Sequence, residues 1–277
     1  MTRRLSYLFA ALSFIAGGCG SSSDELTKAP PLGTADQLFT QAKAAYDKED
    51  WPEAIRLFEE VRVQAPASTI SAEATYLEAM ARYDQDMFAG AAVDFRAVRR
   101  NYPNSPFAAR AQYMVGESYY QISPRPELDQ TYTPLALTEF QNFLHDFPSQ
   151  SVSSSSPSSA SSIASASGTT LTDSAQKRIV EIRTRLATKY FMAAQLYDKL
   201  EDPKSAVVYY ERVLDNYYDT PPAVESELRL AEINTGLKKP DDARKNLDAF
   251  DTKYLATATT DERQRALKLH TTLYQTP

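Results

Sequence analysis

One phrase recurs three times along this chain: an alanine, a phenylalanine four residues later, and a proline eight residues after the ring. It reads Ala54/Phe58/Pro66, Ala91/Phe95/Pro103 and Ala136/Phe140/Pro148. The small residue lets two helices approach, the ring one turn on shares its face, and the proline ends the unit. A helix–turn–helix unit of this length cannot bury its apolar face alone. It must stack on its neighbours, and such stacks present long concave surfaces to other chains. The chain therefore reads as a binder or scaffold before it reads as an enzyme.

The phrase is the second-helix half of a tetratricopeptide repeat. The expected fold is all-α, a superhelical solenoid of about five helix–turn–helix repeats. In the first repeat Leu38, Ala42 and Ala45 share a face, and Trp51-Pro52 opens the second helix, where proline is tolerated. Ile55, Phe58 and Val61 form its inward side. The second repeat runs from about Ala72 to Pro103, with Ala79 and Ala91 at the close contacts. The third starts near Ala109, uses Gly116 for close approach, and carries a longer loop from Ser123 to Thr133. Ala175 to Leu200 reads as one long helix, with Ile179, Ile182, Leu186, Tyr190 and Ala194 at helical spacing. A fourth repeat follows with Ala206, Tyr210 and Val213, and a fifth with Ala231, Ala243, Leu247 and Phe250. Asp261 to Tyr274 is polar enough to be a terminal capping helix.

The two flanking compositions differ. Arg3 and Arg4 precede an apolar run from Leu5 to Ala16, a secretory signal too short to span a membrane. Small residues then lead to Cys19, the single cysteine, as in a bacterial lipobox whose cysteine is lipidated. The expected organisation is a signal over 1–18, a tether over 19–34, three repeats over 35–148, a serine-rich insert over 149–174, and two repeats with the cap over 175–277. In that insert 13 of 26 residues are serine and none is aromatic, a composition expected to stay disordered. Without Arg3 and Arg4 the chain carries 28 basic against 36 acidic side chains, which argues against a sequence-independent nucleic-acid binder.

Aligning the first helices of the first three repeats places aromatics in matched pairs: Phe39 and Tyr46, Tyr76 and Tyr83, Tyr113 and Tyr120. Each pair is two turns apart, on one side of its helix. Lys43, Met80 and Glu117 fall between the rings. The stripe serves either as a peptide-binding groove or as packing between helices, ring by ring. Catalytic signals are weak. His145 and His270 sit in different repeats without a ligand cluster, so no metal or cofactor is expected. No phosphate-binding glycine loop or nucleophile elbow occurs.

Asp129-Gln130-Thr131-Tyr132-Thr133 leads into Ala136-Leu137, Phe140-Gln141 and Phe143-Leu144. With the lipobox, the proline-containing tether and five repeats, this resembles the BamD family, lipoproteins of the outer-membrane β-barrel assembly machine. Ala175, Lys177-Arg178-Ile179, Arg183, and Arg185-Leu186-Ala187 add to the resemblance, which covers about residues 19–255. Leu128 stands where that family often has Arg, and the serine insert is not typical of it. The resemblance implies a non-enzymatic lipoprotein anchored by its lipid to the periplasmic side of the outer membrane. It implies C-terminal repeats that hold the barrel-forming subunit, among other assembly lipoproteins, and N-terminal repeats that receive aromatic C-terminal signals of unfolded outer-membrane proteins. For the subunit contact the surface charges expected are Glu227, Arg229 and Arg244. The alternative is another periplasmic repeat scaffold, one that coordinates cell-wall synthesis with envelope constriction.

Overall fold

The computed structural model describes residues 33–148 and 170–274. These form eleven α-helices and, among the described residues, no strand. Helices α1 (Ala35–Asp47) and α2 (Trp51–Gln64) pair, as do α3 (Thr69–Asp84) and α4 (Phe88–Asn101), and α5 (Ala108–Gln121) and α6 (Tyr132–Asp146). The long α7 (Leu171–Lys199) pairs with α8 (Pro203–Tyr217), and α9 (Pro221–Gly236) with α10 (Pro240–Lys253); α11 (Thr260–Tyr274) packs on the last pair. The fold is the tetratricopeptide solenoid. First helices touch each other (α1 on α3, α5 on α7, α7 on α9, α9 on α11), whereas no two second helices come as close. The stack from Thr34 onward therefore curves with its first helices inside.

The repeated phrase shows why the pairs form. Ala54, Ala91, Ala136, Ala206 and Ala243 are fully buried on the five second helices. One turn later come Phe58, Phe95, Phe140, Tyr210 and Leu247, and a further turn on Val61, Val98, Phe143, Val213 and Phe250, all buried. Each large side chain removed from water stabilises by roughly 1.5–3 kcal/mol before packing terms. Gly116 is the matching small residue in the third repeat: a Cβ there would sit 2.9 Å from ring atoms of Phe140. In the first repeat Tyr46 and Leu57 are buried as well, while Ala45 and Ile55, expected on the inward faces, are only half-buried.

Helix starts differ from the sequence pattern where a cap decides them. Ser68 accepts from Ser71 N at 3.1 Å, so α3 begins at Thr69, ahead of Ala72. Thr170 and Asp173 form a capping box, each side chain accepting from the other's backbone N–H at 3.0 and 3.1 Å. The long helix thus begins at Leu171, and residues 171–174, expected in the serine insert, are helical. Cys19, the signal and the tether up to residue 32 lie outside the described residues, as does the serine stretch from 149 to 169; Thr34, expected in the tether, is the N-cap of α1.

Four of the five turns within repeats are one device. The helix ends, the second residue beyond it takes positive φ, and the next helix opens two residues later. Those residues are Glu49 (φ 61°), Asp86 (59°), Glu201 (57°) and Lys238 (57°). In each turn the following N–H returns to a carbonyl five residues back, as Asp50 N to Ala45 O at 3.0 Å and Lys239 N to Asn234 O at 2.9 Å. The third repeat departs from it with its loop before α6.

Candidate peptide groove

The six register-matched rings do not form an open ladder. Tyr46, Tyr76 and Tyr113 are buried, at 5%, 3% and 3% exposure. Tyr76 packs on Phe95 and stacks on Phe107 at 5.3 Å; Tyr113 meets Phe140 and Phe143 edge-on at 5.4 and 5.8 Å. Tyr46 contacts Trp51 at 5.1 Å and donates its hydroxyl to Asp84 at 2.7 Å. Met80 and Glu117 are buried as well. The accessible members are the half-buried Phe39, Tyr83 and Tyr120, with Lys43, whose ammonium lies 5.5 Å from the Phe39 ring centre and 3.6 Å from Glu73. Burial raises the Tyr83 and Tyr120 phenols, which keeps both neutral and able to donate.

The charged centre of this face joins α5 to α7. Arg178 Nε and Nη2 donate to the two oxygens of Glu117 at 2.9 and 2.8 Å, and Nη1 donates to Glu181 at 2.9 Å. Glu117 also accepts from Gln121 at 3.0 Å, and Glu181 from the Tyr120 hydroxyl at 3.0 Å. Burial works against the Arg178 charge, but its bonds to Glu117 outweigh that and raise its proton affinity. The Tyr120 ring lies between two guanidiniums, 4.2 Å from Arg178 and 4.8 Å from Arg185. Arg185 donates to Ser123 O at 3.0 Å, and Lys189 to Leu128 O at 3.3 Å, so α7 grips the third-repeat loop. Gln130 closes that loop from inside: its amide donates to Arg125 O and Leu128 O, and its carbonyl accepts from Thr133 at 2.7 Å.

The three C-terminal charges have internal partners. Glu227 is not a surface charge; it is 4% exposed and accepts from Asn246 at 2.9 Å. Arg229 bonds Asp198 at 2.8 Å and Glu232 at 2.6 Å, tying α9 to α7. Arg244 donates twice to Leu273 O and so fastens α10 to the end of α11. A groove of about 630 Å³ is lined by Thr184, Phe191, Pro222, Glu225 and Arg265 among others, and a smaller pocket of about 300 Å³ that shares Glu225 and Arg265 with it is lined by Asp198 and Arg229. Among the described residues no group of three or more histidine, cysteine or acidic side chains is placed to hold a metal.

A family model described as outer membrane lipoprotein (YfiO) matches residues 31–157, and a tetratricopeptide-repeat model matches residues 190–219. Outer membrane protein assembly factor BamD of Rickettsia prowazekii (strain Madrid E) is 25% identical over 245 residues, 88% of this chain and 88% of that protein. Along most of its length the chain is similar to that assembly factor. Two solved tetratricopeptide structures are also similar. The P58(IPK) domain is 15% identical, with 85% of this chain and 55% of that one covered and a TM-score of 0.41. A repeat protein from Bacteroides fragilis is 12% identical, with 87% and 100% covered and a TM-score of 0.46. The Asp129–Thr133 phrase falls inside the lipoprotein match. The α7 side chains that complete the face, Glu181 and Arg185 above all, were not among the groove residues expected from sequence. Their one signal was the recurrence of Arg178, Arg183 and Arg185 along a long helix, two of which meet partners about sixty residues upstream.

Proposed function

We propose that this chain is a non-enzymatic scaffold of outer-membrane protein assembly, tethered through a lipid on Cys19 to the periplasmic side of the outer membrane. Its C-terminal repeats hold the barrel-forming subunit, at the groove beside Arg229 and Arg265 and at the edge near Arg244. Its N-terminal repeats receive aromatic C-terminal segments of unfolded barrel proteins on Phe39, Tyr83, Tyr120 and the Arg185 side of α7. Glu227 supports that region through Asn246 rather than by direct contact. The observation that carries this reading is the match to the assembly factor along 88% of both chains. A concave face offering half-buried rings beside cations suits an extended aromatic ligand, since rings give large contact area at little cost in rotamers.

The test is affinity purification of the detergent-solubilised, lipidated chain, with mass spectrometry of what accompanies it. The expected companion is a large outer-membrane β-barrel with periplasmic repeat domains. A Tyr83→Ala/Tyr120→Ala variant should retain that companion and lose cross-links to unfolded barrel proteins. Recovery of cell-wall synthases with no barrel would overturn the assembly reading in favour of an envelope-constriction scaffold.

A further inference from the structure

A second surface lies along the seam of α7 and α8. Tyr197 stacks on Tyr209, ring centres 5.3 Å apart and planes 14° apart. Tyr190 stacks on Tyr217 at 6.0 Å and 23°. Arg212 bridges the two pairs, its guanidinium 5.3 Å from the Tyr190 ring centre and 5.7 Å from that of Tyr209. Arg183 ends the row, 5.5 Å from the Tyr217 ring centre. The four rings are half-buried, Arg212 is exposed, and Val208, one turn away, is 52% exposed.

Arg212 stands apart from most arginines of the chain. Ten others pair with a carboxylate, Arg183 with Asp219 among them. Among the described residues Arg212 has no ion pair and donates no side-chain hydrogen bond. Two rings lie within 6 Å of it, and the residue is exposed. An exposed guanidinium beside aromatic rings, with its donors unpaired, is a fork for a carboxylate.

We propose that this seam binds an extended segment of a partner protein bearing one carboxylate flanked by aromatic or aliphatic side chains. The carboxylate docks on Arg212, and the flanking groups lie on the two tyrosine pairs. In an extended segment side chains two apart share a face, about 6.6 Å from each other, which fits the spacing of the rings around Arg212. The row from Arg183 to Tyr197 covers about 21 Å of α7, the length of some six extended residues. Glu211 and Asp215 are exposed beside Arg212, and Asp219 lies beyond them. These carboxylates repel a broad anionic surface such as a phospholipid layer, and they leave room for a single acid held in the fork. The seam shares no side chain with the face around Tyr120 or with the groove beside Arg265, so this proposal and the assembly reading stand or fall independently.

The probe is the fluorescein-labelled peptide Ser-Tyr-Thr-Glu-Thr-Tyr-Ser, with a Gln-for-Glu version, titrated against the mature full-length chain. The Glu peptide should bind, and the Gln peptide about tenfold more weakly. Arg212→Ala should lower Glu-peptide affinity to the Gln-peptide level with the melting temperature held, and Arg212→Lys should restore only part, because it keeps charge without the fork. Tyr209→Leu should weaken both peptides. No binding by the wild-type chain, equal affinity for the two peptides, or no effect of Arg212→Ala would overturn the proposal. So would Arg212-dependent retention on phosphatidylglycerol vesicles without discrimination between the peptides, which would identify a lipid phosphate as the ligand.

Discussion

At the scale of single residues, the buried acids divide by what meets them. Glu117 lies against a guanidinium, whereas Glu227 has only the Asn246 amide, itself held by Asn234 at 3.0 Å. Burial therefore raises the Glu227 carboxyl above its ordinary range, with the Asn246 bond and the more distant Lys253 and Lys245 opposing weakly. The folded state then holds this proton more tightly than the unfolded chain. Stability contributed by the neutral acid is present below the unfolded value, about 4.3, and is lost as pH rises through the raised folded value. Glu227→Gln keeps the acceptor for Asn246 and removes the charge. Its melting temperature should match wild type near pH 4 and exceed it at pH 8. A variant less stable than wild type at pH 8 would show that the carboxylate is stabilising. The identity of Glu227 was plain in the sequence, but its burial was not. It lies one residue from Leu228 on a helix whose neighbours cover three sides, and charge alone suggested a surface position.

Helices and turns were more legible. A phrase of three positions is enough to place five second helices, because alanine, a large apolar residue and a second one a turn later can serve no other packing so regularly. Gly116 was recognisable for the same reason, and Phe140 occupies the room it leaves. Rings were harder. Period alone places Tyr76 and Tyr83 on one side of α3 but cannot say that Phe107, from the next repeat, covers the first and leaves the second half open. Turn geometry was hidden too, since none of the four positive-φ residues is glycine. At the end of α9 the glycine is Gly236, two residues before the left-handed Lys238, and a Cβ on Gly236 would meet nothing within 4 Å. The left-handed conformation costs a side-chain-bearing residue about 1–2 kcal/mol, and glycine inside a helix end costs a similar amount relative to alanine. Exchanging them, as Gly236→Ala/Lys238→Gly, should raise unfolding free energy by about 1 kcal/mol in urea titration. A decrease would mean that Lys238 contributes a contact outweighing its backbone strain.

At the scale of the whole chain, stability is a sum over neighbours. The apolar core runs unbroken from α1 to Leu186 of α7, and a second large cluster takes over at Ala187 and continues to Leu273, with a small third one of Ala194, Ala206, Tyr210 and Leu230 between α7, α8 and α9. The division falls inside one helix, so α7 belongs to both halves, and Tyr217 packs against both clusters. The last helix is polar outside and buries Ala266, Leu269 and Leu273 against the end of the stack. In a linear stack, damage at one end should propagate only as far as each interface depends on the next. Leu269→Asp places an unpaired charge where α11 meets the stack, at a cost of several kcal/mol. Hydrogen exchange should then show amide protection in α9, α10 and α11 falling by about tenfold or more, with α1 to α6 within about twofold of wild type. A uniform loss from α1 to α11 would show that the two clusters fold as one cooperative unit, with α7 transmitting the damage. Protection lost in the C-terminal half alone would mean that α7 holds its N-terminal turns on Glu117 and the third-repeat loop after its C-terminal neighbours have opened. In that case contacts at the groove beside Arg265 could loosen while the face around Tyr120 and Arg178 stays formed.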